Sequence, residues 1–159
     1  MTLEVGQPAP DFELRDQHGQ AVSLKSFQGR KAVVLVFYPF AFSRVCTGEL
    51  SDIRDNRPTL PSGDVEVLAV SCDPMFSLRA FADQDGLEFP LLSDFWPHGE
   101  VSTEFGVFDV ERGCSTRSTF IVDKFGIMQW SVHNAMPEAR DLTEYVRVLA
   151  GLAAAPVSE

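Results

Sequence analysis

Lys31-Ala32-Val33-Val34-Leu35-Val36-Phe37-Tyr38-Pro39, running on into Phe40-Ala41-Phe42-Ser43-Arg44-Val45-Cys46, is the stretch from which the fold is read. Ala32 to Tyr38 is continuously apolar and rich in β-branched residues, the pattern of a strand covered on both faces. Pro39 has no N–H to offer a ladder and ends that strand. From residue 43 to about 57 the period turns helical, with Cys46, Leu50 and Ile53 on one side, and Pro58 terminates the helix.

Outward from this unit, residues 65–71 form a second buried strand and 75–84 a second helix ending before Gly86. Residues 89–92 read as a short strand and 99–105 as a short helix closed by Gly106. Residues 107–109 and 115–122 flank the turn Glu111-Arg112-Gly113 as antiparallel strands. Asp123-Lys124-Phe125-Gly126 is another tight turn, leading into a strand over 127–132. Nearer the N-terminus, 12–14 and 21–24 flank Asp16-Gln17-His18-Gly19 as a hairpin. A last amphipathic helix over 137–152 carries Leu142, Tyr145, Val146 and Leu149 on one face. Helices interleaved with strands, then a hairpin, imply a mixed sheet with helices on both faces. A thioredoxin-like three-layer α/β sandwich fits this order, although the order alone does not single it out. The expectation is one domain over 1–152 and a flexible tail over 153–159.

Composition narrows the chemistry. A chain of 159 residues can bury one real core. The net charge of −10, with no basic patch, speaks against nucleic acid and anionic lipid as partners. The N-terminus carries no basic segment followed by an apolar one, and the longest apolar run is far too short to cross a bilayer. Cys46, Cys72 and Cys114 are odd in number and far apart, which is no disulfide framework and suits a reducing cytoplasm. There is no C-x-x-C, no metal-ligand spacing among His18, His98 and His133, and no phosphate or dinucleotide loop. Neither a metal nor a cofactor is expected.

Cys46 stands apart from the other two cysteines. It falls in the first turn of a helix entered directly from a buried strand, where unpaired N–H groups and the positive end of the dipole favour a thiolate. Ser43, three residues earlier, can cap the helix and point its hydroxyl at the sulfur. The commoner fate of a cysteine is to be a small buried hydrophobe, and the spacing of the neighbours decides against that here.

Pro39-Phe40-Ala41-Phe42-Ser43-Arg44-Val45-Cys46 resembles the peroxiredoxin active-site motif P-x-x-x-(T/S)-x-x-C at every fixed position, with Glu49 three residues further on, where most members also have Glu. Arg117, in Gly113-Cys114-Ser115-Thr116-Arg117-Ser118-Thr119-Phe120-Ile121-Val122-Asp123, matches the family's late-strand arginine. The resemblance continues through Gly6-Gln7-Pro8-Ala9-Pro10-Asp11-Phe12 and Phe89-Pro90-Leu91-Leu92-Ser93-Asp94, and a C-terminal segment supplies a second arginine, Arg140. Around Ser93-Asp94-Phe95-Trp96-Pro97-His98-Gly99 the chain is most similar to the one-cysteine alkyl hydroperoxide reductase E group. Phe95 and Trp96 are expected as core aromatics near the site, and His98 as a helix-start residue rather than a base.

The resemblance implies a peroxidase. A Cys46 thiolate would attack hydrogen peroxide, an alkyl hydroperoxide or peroxynitrite, and become a sulfenic acid. Ser43, Arg117 and the backbone N–H groups of Val45 and Cys46 would supply the donors, Pro39 would screen the pocket, and Glu49 and Arg140 would hold Arg117. At the family's internal resolving positions this chain has Ser51 or no cysteine, and Cys72 and Cys114 read as buried structural thiols. A one-cysteine enzyme follows, recycled by an external thiol such as mycothiol with a glutaredoxin-like or thioredoxin-like donor, and dimerising with its own copy. A thiol–disulfide oxidoreductase would need C-x-x-C, and a binding module would leave Cys46 inert.

Overall fold

β3 (Ala32–Phe37) is the strand around which a seven-stranded sheet is ordered. The computed structural model describes residues 4–43, 48, 50–51, 53–55, 65–134 and 147–148. Along one edge β3 pairs in parallel with β4 (Val65–Ser71), Ala32 opposite Val65 and Phe37 opposite Val70. Along the other it pairs antiparallel with β8 (Arg117–Val122), Val33 opposite Val122 and Phe37 opposite Ser118. β5 (Leu91–Ser93) adds in parallel beyond β4, and β9 (Met128–Asn134) adds antiparallel beyond β8. The hairpin of β1 (Glu13–Arg15) and β2 (Ala21–Ser23) completes the order β2-β1-β5-β4-β3-β8-β9. β6 (Phe108–Asp109) and β7 (Cys114–Ser115) form a separate ribbon.

Alternation along β3 divides the core in two. Val34 and Val36 face a layer holding Leu50 and Ile53, with Leu78 and Phe81 of the Met75–Asp85 helix. Val33, Leu35 and Phe37 face the opposite layer, with Val101 of the Glu100–Glu104 helix and Phe105 just after it. Helices therefore cover both faces, as expected. Truncating a fully buried side chain such as Leu35 or Phe120 to Ala would cost about 2–5 kcal/mol.

Most turns follow from their side chains. Asp16 Oδ1 accepts the N–H groups of His18 and Gln20, and Gly19 takes φ +79°. Asp123 Oδ1 accepts those of Phe125 and Ile127 in the same way. Several boundaries shift by one or two residues, and two differences have a visible cause. The third parallel strand starts at Leu91 rather than residue 89, because Pro90 lacks an N–H and contributes only its carbonyl, to Ala69. The segment expected as one strand over 115–122 is divided at Thr116, whose N–H donates to Val107 O and sends β7 to the ribbon and β8 to the sheet. Of the helix expected over 43–57, residues 48, 50–51 and 53–55 are described and helical; of that over 137–152, only 147–148. The tail expected over 153–159 lies outside the described residues.

Asp94, buried at the end of β5, starts the short Glu100–Glu104 helix by accepting the N–H groups of Val101 and Ser102 at 3.1 and 2.8 Å. Burial is the main influence on its carboxyl and raises its pKa. A carboxyl raised on folding gives stability in acid that is lost as pH climbs from its ordinary 3.8 through the raised value. Asp94→Ala should lose at least about 2 kcal/mol by stranding two N–H groups. Asp94→Asn should gain on the parent protein as pH rises across that window, which urea unfolding at stepped pH will measure.

Candidate active site

Because β3, β4 and β5 are parallel, their carboxyl ends lie at one edge of the sheet, the edge where open α/β sheets take ligands. β8 runs the other way, so its first residue, Arg117, starts at that edge. The Phe37–Ser118 pairing puts Arg117 across from Tyr38, immediately before Pro39. Arg117 alternates with Thr119 and Ile121, and Ile121 packs in the layer of Leu50 and Ile53, so its side chain leaves the sheet on the face of that helical segment. It is only 3% exposed. A buried guanidinium at a sheet edge is a strong electrostatic feature, because a charge is rarely taken out of water without a task or a partner.

Tyr38 N–H donates to Val70 O at 3.0 Å, and Pro39 is buried after it. The chain then turns: Ser43 N–H reaches back to Phe40 O, and Phe42 sits at φ +68°, in the left-handed region. For a residue with a bulky side chain that conformation costs on the order of 1–3 kcal/mol and persists only where the surroundings impose it. Two contacts do so. The Phe42 ring packs on Phe81 with centroids 5.1 Å apart, and Ala41 N–H donates to Asp73 Oδ2 at 2.8 Å. Asp73 is itself held, with Ser71 Oγ–H donating to its Oδ2 at 2.7 Å and Ser93 Oγ–H to its carbonyl at 2.6 Å.

Pro39, Ser43 and Arg117 thus lie at one edge of the sheet. Cys46, Glu49 and Arg140 lie outside the described residues. The sequence reading overlooked Ser71, Asp73 and Ser93. A Ser-x-Asp sequence closing a buried strand was the available signal, since short polar side chains there bond nearby backbone.

Phe95 and Trp96 are not core aromatics: they are 45% and 80% exposed. The chain leaves β5 at Asp94 and turns outward through Pro97 to reach the helix at Glu100, which carries both rings into solvent. His98 behaves as a helix-start residue, its ring nitrogens 3.1 and 2.7 Å from the carbonyl oxygens of Phe95 and Gly113. A cavity of about 340 Å³, lined by Leu24, Lys31, Val33, Val122 and Phe125, opens at the far end of β3 and β8 and takes no part in the site. Among the described residues no cluster of three or more His, Cys, Asp or Glu is placed to hold a metal.

Over residues 5–131 the chain matches the model of the AhpC/TSA family. It belongs to that family, the peroxiredoxins. It is a thiol-dependent peroxidase, an oxidoreductase whose substrates are peroxides and whose electrons come from thiols. It is 45% identical over 152 residues to alkyl hydroperoxide reductase E of Mycobacterium tuberculosis, covering 96% of this chain and 99% of that protein. Among solved structures it resembles AhpC of Enterococcus faecalis, with 33% identity, TM-score 0.84, and 95% and 92% of the two chains covered. Peroxidoxin BcpB of Mycobacterium tuberculosis is similar at 29% identity and TM-score 0.81, covering 97% of this chain and 99% of that one. The fold is the thioredoxin-like one expected from the sequence.

The two other cysteines are buried, as expected. Cys72 Sγ lies 3.6 Å from Ser115 Oγ, which is 2.7 Å from Ser102 Oγ. Burial raises the Cys72 pKa; the Ser115 hydroxyl opposes the rise, and the nearby Asp94 and Asp73 carboxylates add to it. Iodoacetamide at neutral pH should therefore leave Cys72 and Cys114 unmodified while an ordinary exposed thiol reacts to completion. Cys72 should label only as the pH passes its usual 9.0 or the fold opens, and peptide mass mapping will follow both.

Proposed function

We propose that Cys46 is the peroxidatic nucleophile of this enzyme, in a pocket completed by Pro39, Ser43 and Arg117. The observation that carries the reading is the buried Arg117 at the start of β8, across from Tyr38 and on the face of the Leu50 helical segment. A fixed cation there favours a thiolate and meets the charge that develops when a peroxide bond breaks. The thiolate attacks one peroxide oxygen in line. An S–O bond forms, the O–O bond breaks, and the departing alkoxide or hydroxide takes up a proton to leave as alcohol or water. Pro39 keeps water from the pocket, and the Ser43 hydroxyl and the N–H groups of Val45 and Cys46 are the other donors. Glu49 and Arg140 hold Arg117.

The sulfenic acid left on Cys46 is condensed with an external thiol, mycothiol or a glutaredoxin-like or thioredoxin-like protein. Burial of Cys72 and Cys114 among hydroxyl and apolar neighbours supports a one-cysteine cycle. The similarity to alkyl hydroperoxide reductase E favours alkyl hydroperoxides beside hydrogen peroxide and peroxynitrite. We infer that one domain spans residues 1–152 and works in the cytoplasm; among the described residues no helix is long and apolar enough to cross a membrane. Exposed Phe40, Phe42, Phe76, Phe95 and Trp96 all follow the carboxyl ends of the parallel strands and support self-association into a homodimer through this edge.

One equivalent of peroxide, added by rapid mixing and followed by intact mass, should add one oxygen, mapped to Cys46. A loss of two hydrogens would mean an internal disulfide and overturn the one-cysteine cycle. Cys46→Ser should consume no peroxide, and unchanged consumption would remove the whole assignment. Ser43→Ala should slow peroxide reduction about 10²–10³-fold, the usual cost of one oxyanion donor. Ser43→Thr should match or exceed the parent, because the added methyl stiffens the rotamer. Stopped-flow fluorescence gives each rate.

A further inference from the structure

The turn after β3, ahead of the helical segment at Leu50, has a side-chain anchor that the chemistry itself does not use. Ala41 N–H donates to Asp73 Oδ2 at 2.8 Å, between two residues assigned to the pocket, Pro39 and Ser43. The same oxygen accepts the Ser71 hydroxyl at 2.7 Å, and the Asp73 N–H lies 3.4 Å from that hydroxyl. From the neighbouring strand, Ser93 Oγ–H donates to the Asp73 carbonyl at 2.6 Å. Asp73 is therefore fixed to the ends of two parallel strands, β4 and β5, and holds the loop that follows the third.

The loop needs such a hold. Phe42, next to Ala41, is in the left-handed region at φ +68°, and its ring is only half covered, so packing on Phe81 is a partial restraint. Without an acceptor for Ala41 N–H, Phe42 can relax to an ordinary φ. That rotation would swing Ser43 away from where Pro39 and Arg117 lie. Hydrogen bonds to a carboxylate are stronger than those between neutral groups, which suits a contact that opposes backbone strain.

We propose that Asp73 is a positioning residue for peroxide reduction: through Ala41 N–H it sets the turn that aims the Ser43 hydroxyl at the reacting sulfur. The proposal rests on the reading that Cys46 and Ser43 form the peroxide site. Its consequence is specific. A mispositioned Ser43 withdraws a donor from the thiolate, so both the thiolate fraction and the peroxide rate should fall.

The test compares Asp73→Ala, Asp73→Asn and Cys46→Ser with the parent protein. Measurements are the rate constant with hydrogen peroxide, the pH midpoint of Cys46 alkylation by iodoacetamide, and thermal unfolding. Asp73→Ala should lower the peroxide rate constant about tenfold or more and raise the alkylation midpoint. Asp73→Asn keeps an acceptor oxygen and should restore both most of the way. A role in stability alone would lower the melting temperature and leave the midpoint unmoved, which overturns the proposal. An inactive Cys46→Ser beside an Asp73→Ala with parental rate and midpoint overturns the proposal alone. A fully active Cys46→Ser overturns the site and the proposal with it. Should Asp73→Ala fail to fold, amide exchange on the unmodified protein decides: Ala41 N–H should be protected although it lies in a loop, and exchange at the rate of a free amide overturns the anchor.

Discussion

From Val33 to Phe37 β3 is buried on every side: β4 closes one edge, β8 the other, and apolar layers close both faces. The chain leaves β3 at its carboxyl end, and there Pro39 stops the ladder. The partners of β3 inherit its register. Parallel β4 and β5 bring Ser71, Asp73 and Ser93 to the same edge, and antiparallel β8 brings Arg117 to it from the opposite direction. The site is thus assembled by strand direction, and side-chain chemistry completes it.

Two kinds of polar hold operate at this edge. Asp94 takes the N–H groups that begin the short helix on one face, and Asp73 takes an N–H of the loop entering the helical segment on the other. Each is a carboxylate spent on backbone, which fixes geometry without placing a further charge on a substrate. Arg117 does the reverse, carrying its charge into the layer where the peroxide reading puts the sulfur. The protein's net charge of −10 makes a buried cation at this point the more selective signal.

How much of this could be read from the sequence depended on whether a residue's neighbours were local. β3 and β4 were legible as apolar runs, and the turns at Asp16–Gly19 and Asp123–Gly126 as Asp and Gly at fixed offsets, because both signals are contained in a few residues. Pro39, Ser43 and Arg117 were picked out by spacing and resemblance, and strand direction brings them to one edge. The division of the late strand at Thr116 was not, since it depends on Val107 as a hydrogen-bond partner. The outward rings of Phe95 and Trp96 were misread because an aromatic pair carries no periodicity to show its facing. β8 is buried at every position, so alternation could not show which face Arg117 takes; its register with β3 does. Asp73 was missed for the same reason as Thr116: its partner, Ala41, is 32 residues away.

The pairing of Phe37 with Ser118 also has a meaning in time. About 80 residues separate the two, so the loop they close is long, and contacts of this kind form late in folding. During synthesis, at roughly 5–20 residues per second, the segment from Pro39 to Ser43 is made several seconds before Arg117 exists. A growing or truncated chain has that segment without the guanidinium that the peroxide reading places beside it. On that reading the pocket is a property of the finished sheet, and an unfinished molecule has no means of assembling it.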